Sequence, residues 1–297
     1  MQRFFNSALG VRLGLALGRM IPPKLGYQLS GLAAKLLSRM VDSPMVQAVR
    51  ANQAVVRGIP LDDPALDQAV VDVFAHAGRC MFDLYHNLQN PAGLQALAPS
   101  TPALERLIAW SQDDTFGAFV VAPHLSAFDL VLLGAAYRGL RTQVLSYGNP
   151  TGGYKIQNEI RASTGLNITP VNPEVDRLAV ETLRDGGFVA TAVDRPVRRK
   201  AHTLTFFGRP APLPAGHIRM ALEADVPIIV VAAQWQPDGK YHLLVSEPLP
   251  IIHKDDPHEA IRINGEAVLQ VIETYIRAAP EQWLMYYPVW AETNQQR

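Results

Sequence analysis

The sequence predicts an α/β protein: a central, mostly parallel β-sheet flanked by helices and preceded by a helical segment. From residue 117 onward, short apolar runs alternate with helical patterns. Most of these runs are continuously apolar, which is typical of parallel strands buried on both faces. Before residue 100 the patterns are helical. We therefore expect a helical, membrane-associating N-terminal segment, residues 1–100, and an α/β domain, residues 101–297, in one compact unit.

The first two helices combine apolar surface with positive charge. Residues 4–21 predict one helix, in which Gly10, Gly14 and Gly18 recur at a fourfold spacing that permits close helix packing. A second helix starts after a pair of prolines. The first 41 residues contain six basic residues and no acidic residue. Two interpretations remain open: the helices pack on the protein's own core, or their apolar faces lie on an anionic membrane surface.

The overall composition indicates a reducing compartment and no nucleic-acid partner. The 27 basic and 27 acidic residues give a net charge of zero, so the chain has no excess positive charge to attract a nucleic acid. Cys80 is the only cysteine, which excludes an intramolecular disulfide and fits the cytoplasm. No uncharged run reaches about eighteen residues, so we expect no membrane-spanning helix. The expected location is peripheral, on the cytoplasmic face of the cell membrane.

The remaining elements follow from periodicity and from breaks at glycine and proline. Helical patterns precede the sheet at residues 44–58, 64–88 and 101–113. Strand patterns occupy residues 117–122, 142–147, 167–171, 187–194, 202–207, 226–235 and 240–247. Helical patterns also lie between or after the strands, at residues 126–138, 150–164, 174–185, 214–224 and 257–277.

A histidine and an aspartate lie where the first strand turns into a helix. His124 follows the strand, and the carboxyl ends of parallel strands are where α/β sheets bind ligands. Asp129 lies in the first turn of the helix, and a histidine in the preceding turn lets the chain fold back so that the two meet. Structural explanations fit the spacing equally well. Ser126 and Asp129 form a capping box with Ser126 as N-cap, and His124 is a partly buried histidine at a strand end.

The stretch "HLSAFD" (124–129) resembles the H-x4-D signature of the glycerolipid acyltransferase superfamily. The later blocks are similar to one branch of it, the bacterial lipid A biosynthesis acyltransferases. These blocks are "RASTGLNITPV" (161–171), "LRDGGFVATAVDRPV" (183–197), "TFFGRPAPLPAGHIRMALEADVPIIVV" (205–231) and "PEQWLMYYPVW" (280–290). The Asp129 form of the signature, where lipid A enzymes have Glu, resembles the branch that acylates phosphatidylinositol mannosides. The resemblance implies a glycerolipid-acyltransferase-like fold and a membrane-associated O-acyltransferase.

The implied reaction moves a fatty acyl group from acyl-CoA or acyl-carrier protein to a hydroxyl of a glycolipid or lysophospholipid. His124 would be the general base, and Asp129 would bond the imidazole and fix its tautomer. The acceptor hydroxyl itself attacks, so no enzyme nucleophile, metal or other cofactor is implied. In the mannoside branch a second carboxylate precedes the "FFG" block. This chain has no acid at 202–205, which puts that role in doubt.

Further residues are expected to contact the substrates. Arg195 follows a strand end, and cations there suit the phosphates of coenzyme A, a carrier protein or a phospholipid. The residues 198–200 are either a part of that site or a solvated loop. Pro214 and Gly216 precede a helix whose amides either face an anion or form only a rigid turn. The expected substrate-binding residues are Ser126, Arg161, Asp194, Arg195, Gly208, Pro214 and Gly216.

Other function classes find less support. "HKDDPHE" (253–259) permits a metal site, but a polar helix N-terminus is the simpler interpretation. The chain lacks the G-x-S-x-G, G-x-x-x-x-G-K and G-x-G-x-x-G motifs of serine hydrolases, nucleotide hydrolases and dinucleotide oxidoreductases. A non-catalytic lipid-binding protein and an acyl thioesterase remain as alternatives.

Overall fold

One central sheet organises the protein. The computed structural model describes residues 14–16, 18–150, 152–197 and 202–290. The strands in these residues are β1 (Ala118–Ala122), β2 (Gln143–Ser146), β3 (Asn167–Pro170), β4 (Phe188–Ala192), β5 (His202–Phe206), β6 (Arg209–Leu213), β7 (Ile228–Trp235) and β8 (Tyr241–Val245). The sheet order is β3-β2-β4-β1-β7-β8, and all neighbours are parallel except β7 and β8. The predicted α/β class with a mostly parallel sheet is confirmed.

Helices precede the sheet and cover both of its faces. They are α1 (Pro23–Ser38), α2 (Pro44–Arg57), α3 (Ala65–Asn87), α4 (Pro91–Leu97), α5 (Pro102–Ser111), α6 (Phe128–Ala136), α7 (Gly153–Ala162), α8 (Pro173–Arg184), α9 (Gly216–Ala224) and α10 (Pro257–Ala278). A 3₁₀ turn, Pro280–Gln282, follows α10. The early helices share the cores of the sheet region: Val56 of α2 packs in one core, and Cys80 of α3 and Leu94 of α4 pack in the other.

Two elements differ from the sequence-based expectations. Strand β6 was not expected because it contains Pro210 and Pro212, which cannot donate to a ladder. It is tolerated because β5 and β6 form a separate two-stranded hairpin. Helix α4 was also missed because it is only seven residues long, too short to show periodicity. Its cap is nevertheless regular, since the Asn90 side chain accepts from the Gly93 amide.

Glycines let the N-terminal helices approach α3 closely. Cβ atoms built on Gly14 and Gly18 would lie 2.9 and 3.0 Å from Tyr85. The predicted close packing at this glycine spacing is therefore confirmed for these two residues, while Gly10 lies outside the described residues. In α1, a Cβ on Gly26 would lie 2.2 Å from the Phe82 ring. The close contact between α1 and α3 therefore requires a residue without a side chain at position 26.

Replacing Gly26 with alanine should lower the free energy of unfolding by about 1–3 kcal/mol, as overpacking of a core does. The Phe82 ring cannot easily move away, because it packs against the rings of Tyr27 and His86. Gly31→Ala is the matched control in the same helix, where nothing lies within 4 Å of the added Cβ. The free energy of unfolding of that variant should rise by about 0.5–1 kcal/mol. Urea unfolding measures the stability of both variants. Equal changes in the two would contradict the tight contact between Gly26 and Phe82.

Candidate active site

His124 and Asp194 lie side by side at the carboxyl edge of the sheet. Strands β1 and β4 are parallel neighbours, and their register runs from Ala118 opposite Phe188 to Ala122 opposite Ala192. His124 and Asp194 each lie two residues beyond the last pair, so the same register brings them together. Strand order and register therefore place an imidazole beside a carboxylate that is 70 residues away in the chain.

The two groups are joined by two hydrogen bonds. His124 Nδ1 is 2.5 Å from Asp194 Oδ1, and the His124 backbone N–H donates to Oδ2 at 2.8 Å. Because an ionised carboxylate only accepts, Nδ1 carries the proton and Nε2 keeps its lone pair. Nε2 has no hydrogen-bond partner among the residues that the structure describes. The imidazole is thus held in the tautomer that can accept a proton at Nε2.

The Asp194 carboxyl is fully buried and ionised. Burial raises its pKa, but the charge of His124 and hydrogen bonds from His124 and Trp283 outweigh burial and bring the pKa below its ordinary value. The indole Nε1 of Trp283 supplies a third donor, 2.8 Å from Oδ2. A buried carboxylate with three donors has a fixed orientation, so it can orient the imidazole.

Asp129 does not reach His124, and the predicted contact between them is wrong. Its carboxylate accepts two bonds from Arg161, from Nε to Oδ1 and from Nη2 to Oδ2, both 2.9 Å. Arg161 also donates from Nη1 to Asn158 at 2.9 Å. The neighbour of the His124 ring from α6 is the ring of Phe128, with centroids 5.2 Å apart. Asp129 lies in the first turn of α6 as expected, but that turn faces α7.

Arg161, an expected substrate-binding residue, is part of this bidentate pair. Burial lowers the pKa of its guanidinium, and the Asp129 carboxylate raises it by more, so the pKa lies above its ordinary value. Both side chains are largely buried. The pair ties α6, which begins just after the His124 turn, to α7.

Ser126 is not the N-cap of α6, so the capping-box interpretation is also wrong. The N-cap is Ala127, and Ser126 has a left-handed backbone with φ of 50°. Its Oγ lies 2.8 Å from Nε2 of His76, a histidine on α3 that the sequence did not single out. Burial lowers the pKa of His76 to about 4, so it is neutral at physiological pH. The His76 bond holds the turn that carries His124.

The remaining predicted residues lie on nearby loops. Arg195 is exposed and lies over the Tyr287 ring at 5.6 Å, and residues 198–200 are outside the described residues. Gly208, with φ of 70°, forms the two-residue turn of the β5–β6 hairpin with Phe207. Pro214 precedes α9, and Gly216 is its first residue. The substrate-binding roles of these residues stay predictions.

The stretch 253–259 forms a polar helix N-terminus. The Asp256 side chain is the N-cap of α10 and accepts from the His258 amide. His253 is bonded through Nε2 to Asp225 at 2.8 Å. Within the described part of the chain, no group of three or more His, Cys, Asp or Glu residues is arranged to hold a metal ion.

Two comparisons with known proteins agree with each other. Residues 9–292 match the protein family described as "Bacterial lipid A biosynthesis acyltransferase". The chain is 26% identical over 291 residues to the phosphatidylinositol mannoside acyltransferase of Mycolicibacterium smegmatis (strain ATCC 700084 / mc(2)155). That alignment covers 95% of this chain and 90% of the relative.

Proposed function

Because this chain belongs to the bacterial lipid A biosynthesis acyltransferase family and is therefore an acyltransferase, we propose that it acylates a hydroxyl of a glycolipid or lysophospholipid from an acyl thioester. The observation that carries the proposal is the free Nε2 of His124 beside a fixed, buried Asp194 carboxylate. A base of this kind at the carboxyl edge of the sheet suits removal of a hydroxyl proton.

The proposed chemistry follows the logic of a catalytic triad, with the acceptor hydroxyl in the place of the serine. Nε2 of His124 takes the hydroxyl proton as the acceptor oxygen attacks the thioester carbonyl carbon. Asp194 stabilises the imidazolium that results. The tetrahedral intermediate collapses with cleavage of the carbon–sulfur bond, and the imidazolium returns its proton to the thiolate. The products are an ester and a free thiol.

The acceptor that the comparisons support is a phosphatidylinositol mannoside, since the M. smegmatis relative is named a phosphatidylinositol mannoside acyltransferase. The donor would be acyl-CoA or acyl-carrier protein, with no other cofactor. Arg195 supports a phosphate-bearing substrate, because it is exposed and directly follows the buried Asp194. Asp194 thereby takes the role of base partner rather than the substrate-binding role expected from its position in the sequence.

The proposal is tested by incubating the purified protein with acyl-labelled thioester, with and without acceptor lipid. Labelled lipid and one equivalent of free thiol are the expected products. Free fatty acid alone would identify a thioesterase, and unchanged donor would favour a non-catalytic lipid-binding protein. Parallel reactions with acyl-CoA and acyl-carrier protein identify the donor.

The outer face of α1 supports binding to a membrane surface. Leu25, Leu29, Leu32 and Leu36 share one side of this helix, and each is 45–56% exposed. Basic residues flank this stripe, and no acid occurs in the first 41 residues. An exposed apolar stripe beside positive charge suits an anionic bilayer surface, here the cytoplasmic face. No helix in the described part of the chain has the length and apolar content to cross a bilayer.

The double variant Leu32→Asp, Leu36→Asp should bind anionic phospholipid vesicles about tenfold more weakly, because each leucine would otherwise leave water on binding. Leu61→Asp, Leu178→Asp is the matched control, since those leucines are similarly exposed but lie off α1. Vesicle sedimentation measures both. If the α1 variant sediments as fully as the wild type, this helix is not the membrane-binding surface.

A further inference from the structure

Residues 280–290 form a C-terminal strap that is hydrogen-bonded to α2. Gln53 donates from Nε2 to the Pro280 carbonyl at 2.7 Å. The Asn52 side chain donates to the carbonyls of Met285 and Tyr287 and accepts from the Val289 amide. Asn52 and Gln53 are both buried. Two buried amides therefore hold the backbone of the strap in place.

The strap crosses the turn that carries His124. The Ser126 N–H donates to the Gln282 carbonyl, and the Leu284 N–H donates to the His124 carbonyl, each at 2.8 Å. Leu125 and Trp283 form an antiparallel bridge between these bonds. The strap thus behaves as a short partner strand for the His124 turn, and it presents the Trp283 side chain to the site.

The Trp283 indole reaches the carboxylate that orients His124. Its Nε1–H donates to Asp194 Oδ2, while Oδ1 accepts from the imidazole. The side chain is 1% exposed and packs against the rings of Phe206, Phe207 and Trp290. Its ring is therefore held on several sides, and the direction of the N–H is set by packing.

We propose that Trp283 is a positioning residue for the acyl transfer: its indole N–H fixes the Asp194 carboxylate so that Oδ1 faces Nδ1 of His124. The bond also withdraws charge from the carboxylate, which limits how strongly Asp194 stabilises the imidazolium. Without it, His124 should hold its proton to a higher pH, and the carboxylate should lose part of its orientation. This inference rests on the proposed role of His124 as the base.

Trp283→Phe removes the donor and keeps an aromatic ring. Trp290→Phe is the matched control, because Trp290 is equally buried in the same ring cluster but its indole donates to the Phe206 carbonyl. Trp283→Phe should lower kcat about tenfold at neutral pH with little change in KM, as expected for a lost bond to a charged group. The acid limb of its pH profile for kcat/KM should move to higher pH. Trp290→Phe should keep the wild-type profile.

The other titratable and charged groups near the site are the same in both variants. His76 is bonded to Ser126, Asp129 is bonded to Arg161, and Arg195 lies over Tyr287. A general loss of packing would lower the activity of both variants without moving the acid limb. Identical pH profiles for Trp283→Phe and Trp290→Phe, with His124→Ala inactive, would overturn this inference alone. Full activity of His124→Ala would instead overturn the proposed function.

A measurement on the wild-type protein covers the case in which Trp283→Phe does not fold. The chain has four tryptophans, so their indole ¹H–¹⁵N resonances can be assigned by substituting the other three. The Trp283 resonance should shift as His124 titrates, because the imidazole and the indole share the Asp194 carboxylate. The Trp290 resonance should stay constant over the same pH range. A Trp283 resonance whose position does not change over this titration would contradict the inference.

Discussion

His124→Ala should lower the rate of acyl transfer by about 100- to 10,000-fold while the protein stays folded. This is the usual contribution of a positioned general base, and alanine leaves no group to take the hydroxyl proton. The fold should survive because the turn keeps its backbone bonds to Gln282 and Leu284. Initial rates with labelled thioester and acceptor lipid measure the change, and circular dichroism checks the fold.

His253→Ala is the control for this substitution. His253 is exposed, and its one side-chain bond among the described residues is to Asp225 at the surface, so its loss should leave the rate unchanged. A His124→Ala enzyme that acylates lipid at more than about a tenth of the wild-type rate would exclude base catalysis by this residue.

Asp194→Asn should lower kcat by about 1,000- to 10,000-fold, through the tautomer of His124 rather than through folding. An amide that turns its NH₂ toward Nδ1 forces the proton to Nε2, where the base must be free. Asp129→Asn should behave differently, since Asp129 bonds Arg161 and not the imidazole. It should lower kcat less, and its main effect should be on stability.

Asp129→Asn should lower the free energy of unfolding by about 3 kcal/mol, because it leaves the largely buried Arg161 guanidinium without its counter-charge. Glu181→Gln breaks the exposed pair with Arg177 and should cost less than about 1 kcal/mol. Denaturant unfolding separates these outcomes. If Asp129→Asn reduced kcat as much as Asp194→Asn and left stability intact, Asp129 would regain the role that the sequence suggested for it.

The two aspartates differ in how far spacing along the chain predicts their contacts. The H-x4-D spacing drew attention to Asp129 because it is near His124 in the chain. The partner that bonds His124 is Asp194, 70 residues away, which the sequence indicated only as a substrate-binding residue. Residues 202–205, before the "FFG" block, contain no acid, and Asp194 lies two residues beyond the end of β4. Proximity along the chain indicated Asp129 as the partner of His124, whereas proximity across the sheet selects Asp194.

The sequence by itself determined the class of the fold, the strands of the central sheet and the position of His124 after the first of them. These features depend on local apolar patterns and on the rule that ligands bind at strand carboxyl ends. Only the tertiary structure decided which groups His124 meets. Strand β4 pairs with β1 although β2 and β3 intervene in the chain, and the C-terminal strap adds Trp283 to the same carboxylate. Such contacts depend on strand order and register, which side-chain patterns within a single strand do not encode.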